Sequence, residues 1–187
     1  MLVRDADAQR DAAACAAIYA PYVSESVASF EAVPPGAPEL GSRIAAAHAW
    51  LVAERDEDVV GYAYASTHNP RAAYRWAADV AVYIAAEHHR GGIGRTLYTV
   101  LFERLRAIGL WTLCAGVTQP NDASNALHGA MGFVPVGTYR RIGWKAGAWH
   151  DVLWFQLDLR PGEPGPPQEP LHVAQAPAAS SQAASAS

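Results

Sequence analysis

The chain has 187 residues, of which 51% are hydrophobic and 17% charged, so it can bury the core of one compact domain. A formal net charge of −4 argues against a nucleic-acid surface, which needs clustered basic residues. Two cysteines make no disulfide framework, acidic residues stand where a signal peptide would need an apolar run, and no apolar stretch approaches the roughly 20 residues that span a bilayer. We therefore expect a cytoplasmic protein with no membrane or nucleic-acid partner.

The first half of the chain predicts a short strand at 2–5, two helices and then three strands. The first helix contains Cys15 and is expected to stop at Pro21, because proline lacks the backbone donor that an inner turn uses. The second helix precedes Trp50. The three strands are predicted at 50–54, 59–64 and 76–84.

The second half predicts a long amphipathic helix, because apolar residues recur from Ile93 to Ile108 at spacings of three or four. Strands at 111–117, 133–141 and 149–159 follow, with a short helix at 123–131 between the first two. The order β-α-α-β-β-β-α-β-α-β-β predicts an α/β domain over 1–160 with a mixed sheet. The Pro, Gly, Ala, Ser and Gln composition of 161–187 predicts a disordered tail.

A glycine-rich turn, His89–Gly94, joins the strand at 76–84 to the long helix. Its glycines allow successive backbone N–H groups to point at one anion, and the start of the helix adds unpaired donors. Arg90 and Arg95 supply positive charge for a diphosphate. The turn lacks the lysine of a P-loop and does not follow a first strand as in a dinucleotide fold. A tight connection with no ligand remains the alternative interpretation.

Several spaced segments carry a resemblance to a known family. They are Trp50–Glu54, Arg71–Tyr74, Val82–Ile84, Gly94–Tyr98, Pro120–Ser124 and Lys145–Val152, together with Asn121, Ala126, His128 and Gly132-Phe133. The chain resembles the GNAT acetyltransferases, and among them the phosphinothricin N-acetyltransferases and their relatives acting on methionine sulfoximine and sulfone. The Arg/Gln-x-x-Gly-x-Gly/Ala turn of that superfamily falls on His89, Gly92 and Gly94, where His89 is a departure from Arg or Gln.

The resemblance implies a mixed, mostly antiparallel sheet flanked by about four helices, acetyl-CoA as cosubstrate, and a homodimer. The pantetheine arm would lie along Val82, Tyr83 and Ile84, where a backbone N–H would stabilise the thioester oxyanion. The diphosphate would be held by His89, Arg90, Gly91, Gly92, Ile93, Gly94 and Arg95. Asn121 and Ser124 are good residues to open the short helix, and the cofactor is implied to contact them.

Two residues are candidates for proton transfer. Asp79 stands where the closer relatives usually have a glutamate, and its apolar neighbours predict a raised pKa for its carboxyl. Because aspartate is one methylene shorter, a water relay to the amine is favoured. His128 stands where many members have a tyrosine that protonates the leaving thiolate, and the closer relatives have histidine. Purely structural roles for both, and which of them is the main base, stay open.

The loop at 71–74 corresponds to the family's substrate loop. Its guanidinium would bind an acceptor carboxylate or phosphinate, since Arg pairs with such anions through two hydrogen bonds. The implied acceptor residues are Phe30, Arg71, Ala72, Ala73 and Tyr74. The basic residue often found two positions before the arginine is Asn69 here, which weakens the case for an acceptor with two anionic groups.

The sequence thus predicts an enzyme that moves the acetyl group of acetyl-CoA directly to the amino group of a small amino acid or analogue. A non-catalytic acyl-CoA-binding sensor, or a GNAT enzyme for another amine, remains the alternative. Cys114 is expected in the core, and the histidines show no metal-ligand spacing, so no metal site is predicted.

Overall fold

A computed structural model describes residues 1–163, 165 and 167–171. The helices are α1 (Ala12–Ser24), α2 (Ala37–Ala46), α3 (Ile93–Ala107) and α4 (Asp122–Ala130), with short 3₁₀ turns at Ala72–Tyr74 and Ala86–His88. The strands are β1 (Leu2–Asp5), β2 (Ala49–Arg55), β3 (Asp58–Thr67), β4 (Ala77–Ile84), β5 (Thr112–Thr118), β6 (Val134–Lys145) and β7 (Ala148–Asp158). Their order along the chain is the predicted one.

The described strands form one seven-stranded sheet in the order β1-β2-β3-β4-β5-β7-β6. Strands β4 and β5 are parallel, and every other neighbouring pair is antiparallel. A parallel pair needs a long crossover connection, which α3 provides between β4 and β5. The prediction of a mixed, mostly antiparallel sheet is therefore confirmed.

Helices cover both faces of the sheet. On one face α3 buries Leu97, Leu101 and Leu105, each with no exposed surface, as its apolar periodicity predicts. On the other face α1 and α2 pack Cys15 and Leu40 against β2 and β3. The described helices have no segment that combines the length and the apolar character needed to cross a membrane.

The predicted end of the first helix at Pro21 is wrong, because α1 continues to Ser24 with the proline inside it. The helix gains buried contacts by continuing, since Val23 in the last turn is 2% exposed. The carbonyl that proline leaves without a helical partner belongs to Ala17, which lies on the exposed side of the helix. Water can satisfy that carbonyl, so the missing hydrogen bond does not end the helix.

Part of the predicted tail lies against the domain. The indole N–H of Trp76 donates to the Gln168 carbonyl at 2.8 Å, and Arg75 pairs with Glu169 at 2.7 Å. The N–H of Leu171 donates to the carbonyl of Ile108 at 2.8 Å. The remainder of the predicted disordered segment, 164, 166 and 172–187, lies outside the described residues.

Candidate active site

In the described part of the chain, β4 and β5 pair only where both strands begin. Ala77, Ala78 and Asp79 are in register with 112–114, and beyond Asp79 the two strands separate. Each keeps its outer partner, because β4 stays paired with β3 as far as Ile84 and β5 with β7 as far as Thr118. The gap opens into a cavity of about 670 Å³ whose wall includes β4, β5, α4 and the glycine-rich turn.

The pleat of β4 decides which backbone groups face this gap. The N–H of Ala85 donates to the carbonyl of Val60 on β3 at 3.0 Å. Because successive residues direct their backbone groups to opposite edges of a strand, Val80, Val82 and Ile84 direct theirs away from β3. An extended chain lying in the gap could therefore pair with the open edge of β4 as an added strand does.

Two side chains close the far end of that edge. The Tyr22 hydroxyl donates to the carbonyl of Ile84 at 2.7 Å and accepts from the N–H of the same residue at 3.3 Å. His89 brings its Nε2 within 3.0 Å of both the Tyr22 oxygen and that carbonyl. Within the predicted segment Val82–Ile84, the free backbone groups are thus those of Val82, since Tyr83 faces β3 and Ile84 is already bonded.

The glycine-rich turn has the backbone geometry of an anion site. Arg90 and Gly92 have positive φ angles of 62° and 76°, and Gly92 is the residue that caps the start of α3. The first turn of α3 contains no acidic residue that would occupy its N–H groups. Gly94 allows a close approach of α4, because a Cβ there would lie 3.2 Å from the Leu127 side chain. The turn thus offers helix N-terminal donors at the mouth of the cavity.

Asn121 and Ser124 hold the start of α4 at the opposite wall. The N–H of Ser124 donates to Oδ1 of Asn121 at 3.1 Å, which is the capping bond expected from the sequence. Both residues line the cavity. The cap therefore fixes the part of α4 that faces the glycine-rich turn.

His128 lies deeper in the same wall and is 3% exposed. Its Nδ1 is 2.8 Å from the carbonyl of Ser124, so the proton is on Nδ1, because a carbonyl only accepts. Its Nε2 is 3.2 Å from the Tyr98 hydroxyl, which must then be the donor. Burial lowers the pKa of His128, so the imidazole is neutral in this pair.

Asp79 is the last residue of β4 in register with β5 and thus stands where the gap begins. Its Oδ1 is 2.7 Å from Nδ1 of His68, which follows the end of β3. Burial raises the pKa of Asp79, and the hydrogen bond from His68 partly opposes that rise. The sulfur of Cys114 lies within 4.8 Å of these two groups, and its thiol is only partly buried rather than deep in the core as expected.

The predicted acceptor residues are spread over two places. Arg71–Tyr74 form an exposed loop beside this cluster, and the ring of Tyr74 lies 5.8 Å from that of His68. Phe30 packs instead over the backbone of Gly143 and lies 6.3 Å from the ring of His150. The loop before α2 is held there by Lys145, which donates to two backbone carbonyls.

Most of the predicted residues fall into two groups. The described wall of the cavity includes, from the cofactor set, Val82, Tyr83, Ile84, His89, Arg90, Gly92, Ile93, Gly94, Arg95, Asn121 and Ser124, and also His128. Gly91, Asp79, Phe30 and Arg71–Tyr74 do not belong to that wall as described. Asp79 and the loop at 71–74 form a second group at the base of the gap, whereas Phe30 lies apart from both groups.

Sequence reasoning missed three residues of these groups, namely Tyr22, His68 and Tyr98. Each contacts a site residue far away in the chain, with separations of 62, 11 and 30 positions. Tyr98 ends a segment that carries the family resemblance, which is a signal for it. His68 and Tyr22 have no local pattern that distinguishes them from other loop and helix residues.

The fold and the cavity together are those of an acyl-CoA-dependent transferase, and the profile of the acetyltransferase (GNAT) domain matches residues 6–154. The chain belongs to this family, which confirms the resemblance. It is 43% identical over 159 residues to the phosphinothricin N-acetyltransferase of Alcaligenes faecalis, covering 82% of this chain and 80% of the relative. It is 34% identical over 109 residues to an L-methionine sulfoximine/L-methionine sulfone acetyltransferase of Pseudomonas paraeruginosa, covering 58% and 63%.

A solved structure agrees with this assignment. The crystal structure of a GNAT superfamily phosphinothricin acetyltransferase from Sinorhizobium meliloti, in complex with AcCoA, matches with a TM-score of 0.85 and 32% identity. The match covers 94% of this chain and 97% of that protein.

Proposed function

We propose that this protein transfers the acetyl group of acetyl-CoA to the amino group of a small amino acid or analogue of the phosphinothricin or methionine sulfoximine type. The observation that carries the proposal is the gap between β4 and β5, with the glycine-rich turn at one end and the partly buried carboxylate of Asp79 at the other. The names of the relatives give the same acceptors.

Acetyl-CoA fits the cavity by its chemistry. The turn at 89–95 offers helix N-terminal donors and two arginines to the diphosphate. The open edge of β4 at Val80 and Val82 offers backbone donors and acceptors to the amide groups of pantetheine. One such N–H near a thioester carbonyl stabilises the tetrahedral oxyanion and contributes about 2.7–4 kcal/mol to the lowering of the barrier.

We assign the two proton transfers of the reaction to different parts of the gap, one to its base at Asp79 and one to its α4 wall. An α-ammonium group must lose a proton before it can attack, and the Asp79 carboxylate lies where β4 and β5 part. The departing thiolate needs a proton on the α4 side. There the cavity wall includes Tyr98 and His128, whose hydroxyl and Nε2 share one hydrogen bond, so we assign His128 and Tyr98 together to the protonation of the thiolate.

The acceptor's acidic group would meet Arg71. Its guanidinium makes no hydrogen bond or ion pair with the described residues, so it is available for a carboxylate or phosphinate. The side-chain oxygen Oδ1 of Asn69 accepts a hydrogen bond from the backbone N–H of Arg71 at 3.0 Å, and this bond shapes the loop.

The outer face of β6 and β7 suggests a homodimer. Strand β6 is an edge of the sheet, and apolar side chains that are at least half exposed lie on it and on β7: Val134, Val136, Tyr139, Ile142, Trp144 and Trp149. An apolar edge of this kind is normally covered by a partner. Light scattering should give a dimer mass, and Trp144→Glu with Tyr139→Glu should give a monomer. The free thiols of Cys15 and Cys114 accord with an enzyme of the reducing cytoplasm.

The function is tested by measuring thiol release from acetyl-CoA with a panel of acceptors. We expect release that depends on phosphinothricin, methionine sulfone or methionine sulfoximine, with the N-acetyl product identified by mass spectrometry. An aminoglycoside serves as the unrelated amine. Binding of acetyl-CoA without release from any amine would overturn the enzyme assignment and favour a sensor.

A further inference from the structure

The pair formed by His68 and Asp79 has the arrangement of a general base with its orienting carboxylate. A carboxylate oxygen only accepts, so Nδ1 of His68 carries the proton that is shared with Oδ1 of Asp79 over 2.7 Å. The lone pair of the neutral ring is then on Nε2. Both side chains are partly accessible, at 28% for His68 and 35% for Asp79.

The surroundings leave Nε2 of His68 available. Among the described residues this atom has no hydrogen-bond partner, since the only polar contact of the ring is the one to Asp79. The ring lies between Tyr74 of the substrate loop, at 5.8 Å, and Trp154 of β7, at 6.4 Å between ring centroids. Nε2 of His68 is therefore free on a side chain that contacts both Tyr74 of the predicted acceptor loop and the carboxylate of Asp79.

We propose that His68, through Nε2, is the group that removes the proton from the acceptor's ammonium, while Asp79 holds the ring and stabilises its charged form. The proposal rests on the proposed acetyl transfer and assigns the base within it. It also explains why an aspartate can stand where relatives usually have the longer glutamate, because the imidazole of His68 extends from Asp79 toward the amine. Histidine is in addition the side chain best suited to gain and lose a proton near neutral pH.

The proton balance of the step is simple. The N–H bond of the ammonium breaks, and its proton binds Nε2, which gives an imidazolium paired with the Asp79 carboxylate. The neutral amine forms the N–C bond at the thioester carbonyl. The C–S bond then breaks, and the attacking nitrogen loses its second proton as the amide forms. The departing thiolate takes a proton from its own side of the gap, and the second proton of the attacking nitrogen replaces the one given up there. The imidazolium of His68 returns its proton to water.

Two titratable groups near the His68–Asp79 pair stay uncharged at neutral pH. Burial, with a contribution from Asp79, raises the pKa of Cys114 on β5 to about 11. Burial raises the pKa of Tyr64 on β3 to about 12. The phenol of Tyr74 on the substrate loop and the indole of Trp154 on β7 complete the surroundings. Asp79, which pairs with His68 at 2.7 Å, is the group whose negative charge favours a proton on the ring.

The test compares wild type, His68→Gln, His68→Ala and Asp79→Asn with a matched control, His48→Gln. His48 is a partly buried histidine whose Nε2 lies 3.4 Å from the hydroxyl oxygen of Thr67, next to the same loop, and it is not among the residues assigned to the site. The readouts are kcat and KM for methionine sulfone between pH 5.5 and 9, and the Kd for acetyl-CoA. All assays contain EDTA, because an imidazole, a thiol and a carboxylate together can hold an adventitious metal ion.

We expect His68→Gln to lower kcat about 100-fold or more, the usual contribution of a general base, with little change in the Kd for acetyl-CoA. The acid limb of the kcat profile should disappear in this variant, and His48→Gln should match wild type within twofold. Added imidazole should raise the kcat of His68→Ala at least tenfold. Such a rescue would show that the variant lacks the base but keeps its fold.

Three results would count against the assignment. A kcat for His68→Gln within threefold of wild type, with Asp79→Asn strongly impaired, would make Asp79 the base by itself. Absence of imidazole rescue in a His68→Ala variant that still binds acetyl-CoA would make His68 structural. A wild type with no thiol release from any amine would overturn the proposed function itself, an outcome distinct from the other two.

Discussion

The positive φ of Gly92 gives a quantitative test of the anion site. A side chain in this left-handed conformation costs about 1–2 kcal/mol, and the position has φ +76° at the cap of α3. The residue is exposed and a Cβ there would have no neighbour within 4 Å, so the turn of Gly92→Ala can relax when no ligand is bound. Binding of the diphosphate then has to restore the strained conformation. That cost corresponds to a Kd for acetyl-CoA that is about 5- to 30-fold weaker.

Gly147 provides the matched control, because it has φ +74°, a Cβ added there would also have no neighbour within 4 Å, and it lies in the β6–β7 hairpin. Calorimetric titration should show an unchanged Kd for Gly147→Ala. Acetylpantetheine, which lacks the diphosphate, should bind Gly92→Ala and wild type equally. If Gly92→Ala binds acetyl-CoA within twofold of wild type, or loses affinity for acetylpantetheine to the same extent, the turn is not the diphosphate site.

Three further predictions concern the remaining parts of the site and the core. Burial raises the pKa of Asp79, so the folded state holds this proton more tightly than the unfolded state, and stability should fall as pH rises through the raised pKa. Asp79→Asn should therefore remove that dependence in urea unfolding between pH 4 and 8, be more stable than wild type at pH 7, and lose acetyl transfer. Tyr98→Phe leaves the buried Nε2 of His128 without a donor and should cost about 1–3 kcal/mol in unfolding free energy, whereas an unchanged midpoint would contradict the 3.2 Å hydrogen bond. Leu101→Ala removes a fully buried side chain beneath the sheet and should cost about 2–5 kcal/mol by the same measurement.

Local patterns were sufficient for most of the fold. The leucine stripe of α3 and the alternation in β4 arise because a helix or strand shows one face to the core, and that periodicity is written in neighbouring residues. The wrong end at Pro21 shows where the local rule fails. The buried contact of Val23 outweighs one missing backbone bond, and burial depends on what packs against the helix.

The candidate site likewise has parts that the sequence predicts and parts that it does not. The turn at His89–Gly94 was predictable, because its chemistry lies in the backbone and its glycines stand close together in the chain. The partner of Asp79 was not, since His68 reaches it across the β3–β4 pair, and neither were the partners of Ile84 and His128. No sequence pattern encodes a contact between side chains that are brought together by separate elements.

The sequence by itself predicted an α/β domain with a glycine-rich turn after its fourth strand, because periodicity and glycine placement are local, and its resemblance to the acetyltransferases predicted the family. Only the tertiary structure decided where β4 and β5 part and which backbone groups line the gap. It also decided that the carboxylate at the base of the gap is joined to a histidine. The pairing of strands and the contacts between loops depend on how the whole chain packs, so these features exist only in the folded protein.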